Sequence, residues 1–156
     1  MKLNNTLKLI IAVVVSELAG IAGAFFTISA IPTWYSALTK PALNPPAWIF
    51  GPVWVALYFL MGVSLWLIWK SDSNEKNKAL WLFVAQLALN AIWSPIFFGA
   101  HSIGSALAII VLLWAAIVLT ILIFKKISKT AAWLLLPYIL WVSFACYLNY
   151  AIWALN

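Results

Sequence analysis

The chain has 156 residues, 67% of them hydrophobic and only 8% charged, with a mean hydropathy of +1.07. A soluble domain needs about a quarter of its residues charged to cover its surface, so nine Lys, three acids and no Arg make lipid the solvent for most of this one. The formal charge of +6 comes from lysines scattered over short loops, a pattern of membrane orientation that gives no reason to expect a nucleic-acid partner.

At membrane depth the backbone must satisfy its own hydrogen bonds, in helices or a closed barrel. Barrel strands alternate apolar and polar residues, whereas this chain has long unbroken apolar runs. The expected fold is an all-α integral membrane protein, a single five-transmembrane-helix bundle in a lipid bilayer. A span takes about 20 mainly apolar residues. The candidates run from Leu7 to Ala30, Trp48 to Trp69, Ala79 to Phe98, Ser105 to Phe124 and Ala131 to Ala154. The first begins like a signal peptide, with Lys2 and Lys8 before an apolar stretch and Ala22-Gly23-Ala24 resembling a cleavage site. Glu17 interrupts that stretch and apolar residues continue through Ile28, so the span is retained.

Lysines set the orientation. Lys2, Lys8, Lys70, Lys76, Lys78, Lys125, Lys126 and Lys129 fall on one side, and Lys40 alone on the other. The bias predicts a cytoplasmic N-terminus in a bacterial inner membrane. The first connection, Ile31 to Ala47, differs from the others. Pro32, Pro41, Pro45 and Pro46 stiffen it, and Trp34, Tyr35, Leu38 and Leu43 need something to pack on. It reads as a lid over one end of the bundle.

Within the spans, helical spacing groups the polar and aromatic residues. Gln86, Asn90, Trp93 and Phe97 share one face of the third span; amides at that depth must point inward. Trp54, Tyr58 and Met61 form a stripe on the second span, and Tyr138, Trp141, Ala145 and Leu148 one on the fifth. Ser16, Gly20, Gly23 and Thr27 give the first span a small-residue face, and Ala19/Gly23 and Gly20/Ala24 serve close packing either within one chain or in a homodimer. These stripes line a bundle interior suited to a flat, mostly apolar ligand, or simply pack its core. Trp48, Trp69, Trp81 and Trp133 fall near span ends, as interfacial anchors. Pro52, Pro95 and Pro137 bend or open helices.

Glu17 is the only acid within a span, a functional candidate as proton carrier or polar contact. Lone His101 reads as a solvated loop residue and lone Cys146 as a small buried hydrophobe. No phosphate loop, paired carboxylates, nucleophile triad or metal-ligand spacing stands out, so no cofactor, bound metal or conventional enzyme is expected. Five spans also argue against a transporter built of two equal inverted halves.

The strings WYSALTKPALNPPAWIFGPVWVALYFLMG (Trp34 to Gly62), QLALNAIWSPIFFGA (Gln86 to Ala100) and LLLPYILWVSFACYLNYAIW (Leu134 to Trp153) resemble the TspO/MBR family, the translocator or peripheral-type benzodiazepine receptor proteins. The resemblance implies a five-helix receptor or carrier that binds porphyrins such as protoporphyrin IX and haem between its helices. In eukaryotic members it also implies cholesterol and isoquinoline or benzodiazepine ligands. Trp54, Trp141, Trp93, Asn90 and Ala145 match pocket positions, and Trp34, Tyr35 and Pro45 match the covering loop. In bacterial relatives the Trp54/Trp141 pair is associated with light- and oxygen-dependent porphyrin breakdown, an alternative activity; membrane transport of a small molecule is a third reading. Tyr150 matches the tyrosine of the cholesterol motif, but no Lys or Arg follows it here, which puts sterol binding through that motif in doubt. The pocket is expected beneath the lid and open at the lysine-poor end.

Overall fold

Runs of apolar residues long enough to cross a bilayer close their backbone hydrogen bonds locally. The computed structural model, described over residues 3–156, is accordingly built of helices. Met1 and Lys2 lie outside the described residues, and with them one of the counted lysines. Helix α1 covers Asn5–Ala30, α2 Ala47–Trp69, α3 Lys76–Ser94, α4 Ile103–Ile127, α5 Lys129–Leu134 and α6 Leu136–Leu155. Five helical stretches are long and apolar enough to span a membrane, the last made of α5 and α6 together. Some hydroxyls within the spans are satisfied within their own helix: Ser16 Oγ donates to the Ala12 carbonyl at 2.9 Å and Thr120 Oγ1 to that of Ala116 at 2.7 Å.

The prolines act at three different places. Pro52 lies inside α2. Pro95 opens a π-helical turn, Pro95–Gly99, that prolongs α3. Pro137 lies at the start of α6, just after the break at Leu135. A fourth case departs from expectation. The segment from Ile31 is not a loop from its first residue, because Ile31–Tyr35 continues α1 as a π-helical turn and helical backbone persists to Ala37. Pro32 sits at the start of that turn, where its missing N–H costs little. Only residues 38–46 are irregular.

Helix α1 packs on α2 and α3, α4 on α3 and α6, and α5 on α2 and α4. Small residues allow the close approaches. A Cβ on Gly62 would meet the Val13 backbone at 2.5 Å, one on Gly20 the Tyr58 ring at 2.3 Å, and one on Gly23 the Ser94 hydroxyl at 3.0 Å. Both glycines of the α1 face are thus used within the chain. Half-way through the bundle runs a buried polar layer. Tyr58 donates to Asn90 Oδ1, Asn90 Nδ2 to the Tyr138 hydroxyl at 2.8 Å, and that hydroxyl to Gln86 Oε1 at 2.9 Å. Toward the lysine-rich end the core is closed by Ile68, Phe83, Ile117 and Phe124, all fully buried. Toward the other end it is not closed.

Candidate functional site

Above the polar layer the helices leave a cavity of about 420 Å³, within the usual range for a small-molecule site. Its walls follow from the stripes. On α2, Trp54 stacks on Tyr58 at 5.4 Å and meets Tyr138 edge-on at 6.2 Å. On α6, Trp141 lies edge-on to Phe50 at 5.9 Å, with Ala145 and Leu148 above it on the cavity wall. On α3, Asn90 marks the inner end, and Trp93 stacks on Phe97 at 5.0 Å. Tyr35 closes the outer end from the tip of α1. Its hydroxyl donates to Asn44 at 2.8 Å, and the Lys40 ammonium stands over its ring at 5.0 Å.

Seven of the residues named as ligand-binding from sequence therefore line one cavity: Tyr35, Trp54, Asn90, Trp93, Trp141, Ala145 and Leu148. Trp34 and Pro45 do not line it. Trp34 points to the α3–α4 junction, edge-on to Phe97 at 5.5 Å and stacked on His101 at 4.3 Å. His101 is, as expected, an exposed loop residue, and the stack covers one face of its ring. It holds a left-handed backbone (φ 53°) and pairs its ring with the end of α1. Pro45 is half-buried in the irregular segment. That segment is pinned to α6: Thr39 N–H donates to Asn156 Oδ1 at 2.9 Å, and Asn156 Nδ2 returns a bond to the Thr39 carbonyl at 3.0 Å.

The opening also differs from expectation. Ile21 and Ile28 on α1, and Trp48 and Val55 on α2, line the cavity yet are 60–74% exposed on the outer surface. The mouth is thus a slit between α1 and α2 that faces the bilayer, rather than a hole confined to the lysine-poor end. Gly51 stands on this slit, and a Cβ there would meet nothing within 4 Å.

The sequence reading of the site left out Asn149 and Ser94, and did not join Glu17 to it. Asn149 accepts from Trp93 Nε1 at 3.0 Å and donates to the Ile103 carbonyl at 3.0 Å, fixing the indole against α4. It lies four residues after Ala145 on the same stripe, so the spacing alone could have found it. Glu17, noticed as an acid within a span, lines the inner end of the cavity and is its only carboxyl. Trp66, Trp93 and Trp114 each donate their indole N–H to an oxygen, whereas Trp54 and Trp141 make no such bond among the described residues. The only sealed side-chain N or O left unpaired there is Gln86 Nε2, so the indole N–H groups of Trp54 and Trp141 remain accessible. Tyr150, by contrast, is 56% exposed on the outer surface and is not among the cavity-lining residues.

Trp54 on α2, Trp141 on α6, an amide on α3 and Tyr35 at the outer end thus line one cavity. The TspO/MBR family model matches residues 12–154. The chain belongs to the TspO/MBR family. It is 48% identical over 141 residues to the tryptophan-rich protein TspO of Chlorobaculum tepidum, covering 88% of each chain. It is 41% identical to the protein of that name from Archaeoglobus fulgidus, over 97% of this chain and 99% of the relative. The human translocator protein is 44% identical over 79% of this chain and 75% of its own. Membership and the five apolar helices make this TspO-family chain a multi-pass integral membrane protein.

Proposed function

We propose that the protein is a membrane receptor or carrier whose cavity takes a flat apolar ligand, a porphyrin such as protoporphyrin IX or haem. The observation that supports it is the aromatic cavity between Trp54 and Trp141, whose wall is apolar apart from a few amides, hydroxyls and one acid. A macrocycle gains from stacking on indole and phenol rings, and its apolar edge can enter through the lipid-facing slit. The described lysines other than Lys40 gather at the opposite end. On that bias we place the N-terminus in the cytoplasm and the protein in a bacterial inner membrane.

The test is fluorescence titration of purified protein with protoporphyrin IX. Binding should quench tryptophan emission saturably, and Trp54→Phe with Trp141→Phe should weaken it by about tenfold, roughly 1.4 kcal/mol. Unchanged binding and quenching in the double variant would remove the cavity from consideration.

A second reading, photo-oxidative breakdown of the porphyrin, is favoured by one feature. The two indoles that face the cavity keep their N–H groups free, so either could give an electron to the photoexcited ligand as its N–H proton leaves; oxygen takes that electron on from the ligand, and the indole radical regains an electron and a proton from the macrocycle, which is the species oxidised overall. Product that forms in light and air with the native protein, and at the rate of free porphyrin with the double variant, marks turnover; equal rates leave binding alone.

A further inference from the structure

Glu17 stands twelve residues into α1, about 18 Å from the start of the helix and so near mid-membrane. One turn on, Gly20 lies against the Tyr58 ring, and both Glu17 and Gly20 line the cavity, so the carboxyl belongs to its inner end beside Tyr58. The neighbouring polar groups are engaged with one another. The Tyr58 hydroxyl donates to Asn90, and Asn90 Nδ2 donates to Tyr138. Glu17 has no hydrogen-bond or ion-pair partner among the described residues, and no lysine lines the cavity. A carboxyl at this depth is costly unless it faces a cavity or finds a donor. Here it faces the cavity with its acceptor oxygens unused.

We propose that Glu17 anchors the inner end of the ligand, taking an N–H donor or protonated amine there, so that the cavity selects flat aromatic molecules with such a group over isosteres ending in a bare ring atom or a carboxylate. This rests on the reading of the cavity as the ligand site. The physical basis is the strength of a charge-assisted hydrogen bond away from water, together with the repulsion of a second carboxylate at close range. Selection then comes as much from rejecting the wrong end group as from holding the right one. A ligand with carboxylates on one edge is turned so that this edge lies toward the outer end, where Lys40 stands over the Tyr35 ring.

The experiment is titration calorimetry of the full chain in detergent at pH 7.5 with three probes of one shape: 9-aminoacridine, acridine and acridine-9-carboxylate. The native protein should bind the amine about tenfold tighter than acridine, with the carboxylate weakest. Glu17→Gln, close to isosteric, should bring amine and acridine within about twofold of each other, leave acridine itself unchanged and strengthen the carboxylate. Glu17→Asp should keep part of the preference, which guards against a trivial folding defect. Persistence of the full amine preference in Glu17→Gln overturns the assignment. So does its absence from the native protein when acridine still binds and is displaced by Gly51→Leu. If no probe binds the native protein, or acridine ignores Gly51→Leu, the cavity reading fails first and the anchor with it.

Discussion

The two ends of the bundle are built on opposite principles. At the lysine-rich end Phe83 and Phe124 stack at 6.2 Å, Ile68 and Ile117 are fully buried, and Ser64 reaches across from α2 to the Ala131 carbonyl at 2.8 Å. At the other end Trp54, Trp93 and Trp141 are larger than any of these, yet space remains between them. Lipid tails are as apolar as leucine, so helices in a bilayer are held by close van der Waals packing and inter-helix hydrogen bonds rather than by the hydrophobic effect. A cavity removes part of that packing. The closed half and the polar layer of Gln86, Tyr138, Asn90 and Tyr58 therefore carry the stability of the fold, and the open half is left to the ligand.

The strongest way to break this contrast is Phe83→Ala. The side chain is fully buried among close-packed neighbours, so its loss should lower the unfolding free energy by about 3 kcal/mol, read from denaturant or thermal unfolding in detergent. Trp141→Ala, on the cavity wall, should cost clearly less despite the larger residue, because one side of the indole already faces space. Equal costs would mean that the two halves are packed alike.

A smaller effect sharpens the contrast from the other side. Gly51→Leu adds a side chain where nothing lies within 4 Å. It should lower porphyrin affinity by about tenfold while leaving the unfolding midpoint unchanged or slightly raised, since Gly is about 1 kcal/mol worse than Ala within a helix. Titration and thermal unfolding of the same preparation would show both. A variant that unfolds early would place Gly51 in packed protein rather than at a mouth.

How far these halves are legible in sequence depends on periodicity. Helical spacing puts Gln86, Asn90 and Phe97 on one face and Tyr138, Trp141, Ala145 and Leu148 on another, and the structure turns both faces inward. Spacing fails where the backbone leaves the α period. Pro32 looks like the start of a loop, but a proline at the head of a helical turn breaks nothing, and α1 runs on through a π turn. Adjacent residues on a helical turn point about 100° apart, so Trp34 and Tyr35, neighbours in sequence and alike in the resemblance, part company, Tyr35 to the cavity and Trp34 to His101. The slit is illegible for another reason. In lipid an exposed Ile21 and a buried one are equally comfortable, so polarity does not mark which apolar residues border an opening.

The least effect is expected on the outer surface, which belongs to neither half. Trp114, near the middle of α4, is 42% exposed, too deep for its indole N–H to reach the headgroups. It donates instead to the Ser143 hydroxyl at 2.8 Å, which itself donates to the Ile139 carbonyl at 2.7 Å. Ser143→Ala removes that acceptor and should cost only about 0.6 kcal/mol, because the indole finds other partners in the unfolded state within the membrane. Porphyrin affinity should stay as it is, since neither residue lines the cavity. Thermal unfolding and titration of Ser143→Ala beside Phe83→Ala make the comparison direct. A cost approaching that of Phe83→Ala would shift the dividing line of this bundle from closed against open halves to interior against lipid-facing surface.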